Sequence, residues 1–400
     1  AAGAVVSHDI TVSDDSFVLI RVKDTIAALQ DLARSVLARH PAKVVGITGS
    51  VGKTTTKEFT AALLGTFFRV HKSGGNLNNH LGLALSILRL EAEHEIAVLE
   101  MGMSGAGEIR RLTGIAPPDV AVVTNVAPVH LAFLETLEAV GEAKGEIIDG
   151  LKPGGTAVLN GDDPWGKTLA KRASGRVIFF GFGNDAEIRA SGLVYAGFDG
   201  LQFRLSYDGL VHDVRLPFLT GGQVENLLAA LGVARAFGLR WETLQPGLAA
   251  LEPAAMRGRI IRLAEGITVV DDTYNSSPRA LEMALQSYVQ LPAGRYVAVL
   301  GDMLELGPEG KKYHEEAGRN ARRLGWDVVA SVGPSGRWIA AGARAEGLSE
   351  SLTPEFTTSE EAAEKIPEIL KPDDLVLVKG SRGVRMEPIV ERLISSFKEH

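Results

Sequence analysis

Residues 46–57 read Gly46-Ile47-Thr48-Gly49-Ser50-Val51-Gly52-Lys53-Thr54-Thr55-Thr56-Lys57. They follow an apolar run from Val44 and precede a helical pattern from Glu58 to Leu64. A strand, a glycine-rich turn and a helix start form a triphosphate cradle. Glycines let backbone N–H groups close around phosphate oxygens, and the helix N-terminus adds partial positive charge. Gly49, Ser50, Val51 and Gly52 would wrap the phosphates, with Thr55 in the first helical turn. Lys53 would reach the β- and γ-phosphates, and the Thr54 hydroxyl would serve Mg²⁺. Ile47 stands where the general pattern has its first Gly, so this is a shorter variant. The chemistry to expect is ATP or GTP binding.

Other chemistry-bearing residues stand at strand ends, where open α/β sheets gather their ligands. Glu100 closes the apolar run Ile96-Ala97-Val98-Leu99, and a carboxylate beside a phosphate loop suits Mg²⁺. His130 follows the run ending at Thr124-Asn125; its spacing allows a ligand role or an ordinary loop histidine. Lys144 falls in a helix beginning near Thr136, where a lysine is ordinarily a solvated charge. Asn78, Asn79 and His80 lie in a loop entering an apolar helix, which fits either a polar ligand or an Asn-capped turn. Three further polar loops, Asp271–Pro278, Leu300–Gly307 and Val378–Gly383, each end a strand and together can line a crevice.

The elements that must position these groups follow from periodicity. Residues 1–41 carry strand-like runs at Ala4–Val6 and Phe17–Val22, then a helix from Thr25 to Arg39. From 43 to about 180, strands at Val44–Ile47, Ile96–Met101, Val120–Thr124, Thr156–Leu159 and Val177–Phe180 alternate with helices, which argues a parallel sheet covered on both faces. Leu201, Phe203, Leu205 and Tyr207 alternate with polar residues between glycines, predicting an antiparallel patch beside that sheet. A helix at Gln223–Phe237 closes the unit. The pattern restarts near Pro253, a candidate hinge, with strands at Arg259–Leu263, Thr268–Asp271, Tyr296–Leu300, Val328–Val332 and Leu375–Val378. Helices fit 278–290, 310–324, 335–346, 359–369 and 386–397.

Composition bounds the rest. Four hundred residues exceed one ordinary core, so two or three domains are expected. A net charge of −7 without a basic run argues against nucleic acid as a partner. The absence of cysteine excludes disulfides and Cys-ligated zinc and fits a reducing compartment. No apolar stretch has the length of a membrane span, and the first residues do not form a signal peptide.

Taken in order, these segments resemble the Mur ligases, the ATP-dependent amino-acid ligases of peptidoglycan synthesis. The likeness rests on the phosphate loop with its missing first Gly, Asn76–Gly82, Glu100-Met101-Gly102, Asp272-Thr273-Tyr274-Asn275, Gly301–Gly307 and Lys379-Gly380-Ser381-Arg382-Gly383. It implies an α/β protein with a central P-loop ATPase domain at 42–252, carrying a parallel sheet plus an antiparallel patch. A Rossmann-like α/β ligase domain follows at 253–400, and residues 1–41 are the remnant of a UDP-substrate-binding domain about half the usual length. The implied reaction uses ATP and Mg²⁺ to phosphorylate the carboxylate of UDP-N-acetylmuramoyl-tripeptide, whose acyl phosphate D-alanyl-D-alanine then attacks. A monomeric, cytoplasmic bacterial enzyme is implied, with the uridine end of its substrate poorly held.

By the same resemblance, His130 matches a histidine on a second Mg²⁺, and Lys144 a lysine that is carbamylated to hold metal. Asn226, Arg259 and Asp272 match nucleotide-binding positions. Asn78, Asn79, His80, Tyr274, Asn275, Lys379, Ser381 and Arg382 match the substrate side. Two departures stand out: Gly222-Gln223 replace the family's usual His-Asn before Asn226, and Ser277 replaces an Asn. The alternatives are a Mur-type ligase adding the third peptide residue, a folylpolyglutamate synthase-like enzyme, and a non-catalytic ATP-binding regulator on the same fold.

Overall fold

The structure is a computed structural model. It describes all residues except 1, 13–15, 130, 218–219, 252–255 and 399–400. His130 and the expected hinge at Pro253 therefore lie outside the described residues.

Two large sheets carry the molecule. The first has nine strands, in the order Leu210–Leu216, Leu201–Tyr207, Ile188–Tyr195, Val177–Gly181, Thr156–Asn160, Val120–Val123, Lys43–Thr48, Ile96–Glu100 and Val70–Lys72. Its strands from Val70 to Tyr195 pair in parallel. The inner ones, Lys43–Thr48, Ile96–Glu100, Val120–Val123 and Thr156–Asn160, read as near-continuous apolar runs because both faces are covered. On one face, helices Lys53–Leu64 and Gly221–Ala236 bury Phe59, Leu63, Val224, Leu227 and Leu231 against Val45, Val98 and Val122. On the other, Ala33, Leu83, Ile87, Leu112 and Ile147 cover Val44, Leu99 and Val123.

The antiparallel patch is not a separate layer. Ile188–Tyr195 pairs in parallel with Val177–Gly181 at Phe180↔Ile188, so the three strands extend the main sheet to its edge. The tight connection Asp208-Gly209, with φ of 56° and 77°, supplies the two positive-φ residues of a two-residue hairpin.

The second sheet has six strands, in the order Arg259–Arg262, Thr268–Asp272, Asp374–Lys379, Arg295–Gly301, Val328–Val332 and Glu355–Phe356. Only the first pairing is antiparallel. Its core divides into two apolar layers, one around Leu285, Leu300 and Trp326 and one around Val299, Ile366, Val376 and Ile389. Registers Asp272↔Lys379 and Leu300↔Lys379 bring three strand ends level. Residues 1–41 contribute the parallel pair Gly3–Val6 with Val18–Arg21, and the helix Thr25–Arg39 capped by Asp24.

Candidate active site

The strand Lys43–Thr48 runs between Ile96–Glu100 and Val120–Val123, and the chain turns at its end into helix Lys53–Leu64. Gly49 (φ 151°) and Gly52 (φ 90°) make that turn, and a Cβ on Gly52 would stand 2.1 Å from Asn226 Oδ1. No side chain fits at either position. The loop is held from the next strand end: Asn125 Oδ1 accepts from Val51 N at 2.9 Å, and the Thr124 hydroxyl donates to Val51 O at 2.6 Å. Ser50 Oγ donates to Ala127 O at 2.9 Å. Thr124 and Asn125 are functional in this sense, although the sequence marked them only as the approach to His130. Their signal was a Thr-Asn pair at a strand end.

Lys53 is half-buried, and its Nζ donates to Gly49 O at 2.7 Å. Burial holds its ammonium below the ordinary lysine range; the Glu100 charge opposes that shift and Arg257 reinforces it. Thr54 Oγ1 donates to Glu100 Oε2 at 2.8 Å, and Asn78 Nδ2 donates to Glu100 Oε1 at 2.9 Å. Glu100 is 2% exposed. A hydroxyl and a carboxylate this close, beside a cradle that only glycine fits, make a hard-oxygen donor set suited to Mg²⁺.

Lys144 departs from its reading as a solvated helix charge. It is 1% exposed, on the inner side of helix Leu137–Asp149. No described residue hydrogen-bonds or pairs with its ammonium. Burial, and then the Lys53 charge, hold it well below the ordinary lysine range. Its neighbours at helical spacing, Val140, Ile147 and Ile148, are buried with it, so Lys144 sits on the core-facing side of its helix.

Across a cleft of about 550 Å³ stand the three strand-end loops of the second sheet, with Tyr274, Asn275, Lys379, Ser381 and Arg382 in its lining. Lys379 Nζ donates to Asp272 Oδ2 at 2.7 Å and to Asn275 O at 2.9 Å. Burial raises the Asp272 carboxyl, and Lys379 opposes that shift. Ser381 Oγ accepts from Leu304 N at 3.0 Å and donates to Ser276 O at 3.1 Å, so its hydroxyl ties the three loops together. Arg382 is exposed and pairs with Glu387.

Asn226 faces the phosphate loop, accepting from Thr56 Oγ1 at 3.3 Å. Asn79 is the cap of helix His80–Ile87, accepting from Leu81 N and Gly82 N at 3.1 and 2.8 Å. Asn78 and Asn79 line the cleft; His80 does not. Arg259 is not brought to the cleft either: it opens an edge strand and is exposed. Gly258, at φ 82°, turns the chain just before it, and Arg257 takes the cleft position. Arg257 donates to Thr54 Oγ1 at 3.0 Å and lies 3.9 Å over the Tyr274 ring, touching both sides. The sequence reading missed it because three arginines stand within six residues there.

Residues 47–234 match the Mur ligase middle domain, and residues 256–382 match the Mur ligase glutamate ligase domain. The chain belongs to the Mur ligase family. This Mur ligase is 38% identical to the UDP-N-acetylmuramoyl-tripeptide–D-alanyl-D-alanine ligase of Bacillus subtilis over 96% of its own length and 82% of the relative's. The crystal structure of MurF from Thermotoga maritima in complex with ADP superposes with a TM-score of 0.87 at 34% identity, covering 99% of this chain and 88% of that one. MurF from Acinetobacter baumannii gives a TM-score of 0.88 at 30% identity, covering 98% and 84%.

Proposed function

We infer that this Mur ligase joins D-alanyl-D-alanine to UDP-N-acetylmuramoyl-tripeptide, with ATP hydrolysed to ADP and phosphate. The observation that carries this is the facing of Lys53, Thr54 and Glu100 on one sheet by Arg257, Asp272 and Lys379 on the other across one cleft. Identity to ligases of that name over nearly the whole chain supports the substrates.

A carboxylate is a poor acyl donor at neutral pH. In the first step a tripeptide carboxylate oxygen bonds to the γ-phosphorus and the bond to the ADP oxygen breaks. In the second, the dipeptide amine bonds to the acyl carbon, phosphate leaves with the C–O electron pair, and the amine loses a proton. Most of the protein's work is positioning and charge neutralisation. The Lys53 ammonium and the N–H groups of Gly52, Lys53 and Thr54 hold the β- and γ-phosphates. Arg257 reaches the same phosphates from the other sheet. Asn78 orients Glu100. Tyr274 and Asn275 line the side where the amine enters, and Arg382 is the exposed cation there for the dipeptide carboxylate. The second sheet's loops exclude water from a species that water would hydrolyse.

Mg²⁺, bound by Thr54 and Glu100, would neutralise charge developing on the phosphoryl oxygens. Lys144 would add an oxygen donor to that set as a carbamate, formed when its neutral amine attacks CO₂ and one proton is released. The depressed ammonium stability of this buried lysine supports that step. Residues 42–252 form the nucleotide unit and 253–400 the unit that closes the site. No helix among the described residues is long and apolar enough to cross a membrane. The ATP requirement supports a cytoplasmic place of work.

Phosphate release tests the assignment. It should require ATP, the UDP-linked tripeptide and D-alanyl-D-alanine together. Equal release with ATP alone would overturn it.

A further inference from the structure

Lys57 is 0% exposed, one helical turn beyond Lys53, and takes no part in the chemistry above. Its Nζ donates to Ser73 O at 2.8 Å and Gly75 O at 3.3 Å, and pairs with Glu58 Oε1 at 3.1 Å. An ammonium has three N–H donors, so all three are engaged. Burying such a charge is costly, and a methionine would fill the same volume without that cost. What the charge secures is the main chain at Ser73 and Gly75, the start of the 73–79 loop.

That segment reaches the site by a short path. Ser73 Oγ accepts the N–H of Glu100 at 3.2 Å, and Ser73 N donates to Val98 O at 3.0 Å. Five residues on, Asn78 donates to the Glu100 carboxylate, and its carbonyl accepts from Gly102 N at 2.9 Å. Glu100 is thus held at its main chain by Ser73 and at its side chain by Asn78, while Lys57 ties Ser73 to the helix that carries Thr54. We propose that Lys57 is a positioning residue, which keeps the Glu100 carboxylate in register with the Thr54 hydroxyl by clamping the 73–79 loop onto the phosphate-loop helix.

The proposal rests on the reading of Thr54 and Glu100 as the metal-binding pair. Its test is ADP binding to Lys57→Met by calorimetry, in EDTA and in Mg²⁺. In EDTA the affinity should stay within about twofold of the unsubstituted chain, because the Gly49–Thr54 cradle is untouched. The gain in affinity on adding Mg²⁺ should fall about tenfold or more, as loss of an outer support for a metal ligand typically gives. The Mg²⁺ concentration for half-maximal ligation should rise in parallel. An unchanged Mg²⁺ gain would make Lys57 a packing residue and overturn the proposal. If Lys57→Met does not fold, Ser73→Ala decides: it keeps Lys57 and removes only the hydroxyl that accepts from Glu100 N, and it too must weaken the Mg²⁺ gain. An unsubstituted chain whose ADP affinity ignores Mg²⁺ would instead remove the metal site itself.

Discussion

The two walls of the cleft are built differently. On the phosphate-loop wall, neutral groups fix the shape: Thr124, Asn125 and Ser50 hold the loop through its backbone. Lys53 lines that wall and Lys144 is buried near it, and desolvation destabilises both as ammonium ions. On the opposite wall Lys379 pairs with Asp272 and Arg382 with Glu387, while Arg257 reaches across to the Thr54 hydroxyl. The first wall stores positive potential for an anion to satisfy. The second spends the Lys379 charge on tying its strand end to the Asp272–Asn275 loop. Substitutions on the first wall should therefore remove function and spare stability, and on the second should cost both.

The largest effect is expected at Lys53. Lys53→Ala should lower phosphate release by about 10³-fold or more, since it removes the cation on the γ-phosphate. Its thermal midpoint should not fall, because a destabilised ammonium goes with it. A midpoint drop comparable to the activity loss would break the contrast between walls. Lys144→Ala should lose about 10²–10³-fold, with partial rescue by added short carboxylates that supply the missing oxygens. Normal turnover would return this lysine to the role of a bystander.

On the second wall, Lys379→Met leaves Asp272 without its partner. Removing one member of a buried pair costs about 3 kcal/mol. Denaturant titration should report that loss, together with lost ligation. Undiminished stability would show that the pair serves the substrate alone.

pH separates the walls further. The folded chain holds the Lys144 proton less tightly than the unfolded chain does. The unfolded state therefore binds more protons above the folded pKa, and stability contributed at this position rises with pH up to the ordinary lysine range. Compared with Lys144→Met, the unsubstituted chain should gain up to about 1.4 kcal/mol per pH unit in that window. Parallel stability curves for the two would contradict the burial argument. The smallest effect is expected at Arg259: Arg259→Ala should leave kcat/KM within about twofold, since surface changes are usually near neutral. Arg257→Ala should lower it at least about tenfold, because a charge-assisted contact to phosphate is lost.

What the sequence disclosed divides along the same line. The phosphate loop is contiguous, so its glycines, Lys53 and Thr54 state their chemistry within six residues. Glu100 was legible because an apolar strand ends on it. The alternation at Leu201–Tyr207 announced the antiparallel strands, but not that they continue the main sheet, since that depends on Ile188–Tyr195 choosing Val177–Gly181 as its neighbour. Lys144 was opaque for a different reason: Val140, Ile147 and Ile148 mark its face as apolar, but a lysine on such a face ordinarily reaches past it to solvent, and only the fold shows that this one does not. The choice of Arg257 over Arg259 turns on the backbone at Gly258, and the tying role of Ser381 depends on two loops remote in sequence. Groups held by their own segment were readable; groups held across the cleft needed the fold.

The central claim is that the tripeptide carboxylate is phosphorylated in this cleft before the amine arrives. Ligation run with ¹⁸O in that carboxylate tests it most directly, by mass analysis of the released phosphate. An acyl phosphate formed on one carboxylate oxygen leaves that oxygen in the phosphate, so one ¹⁸O per phosphate is predicted from fully labelled substrate. Phosphate carrying no label, alongside normal product, would contradict the account.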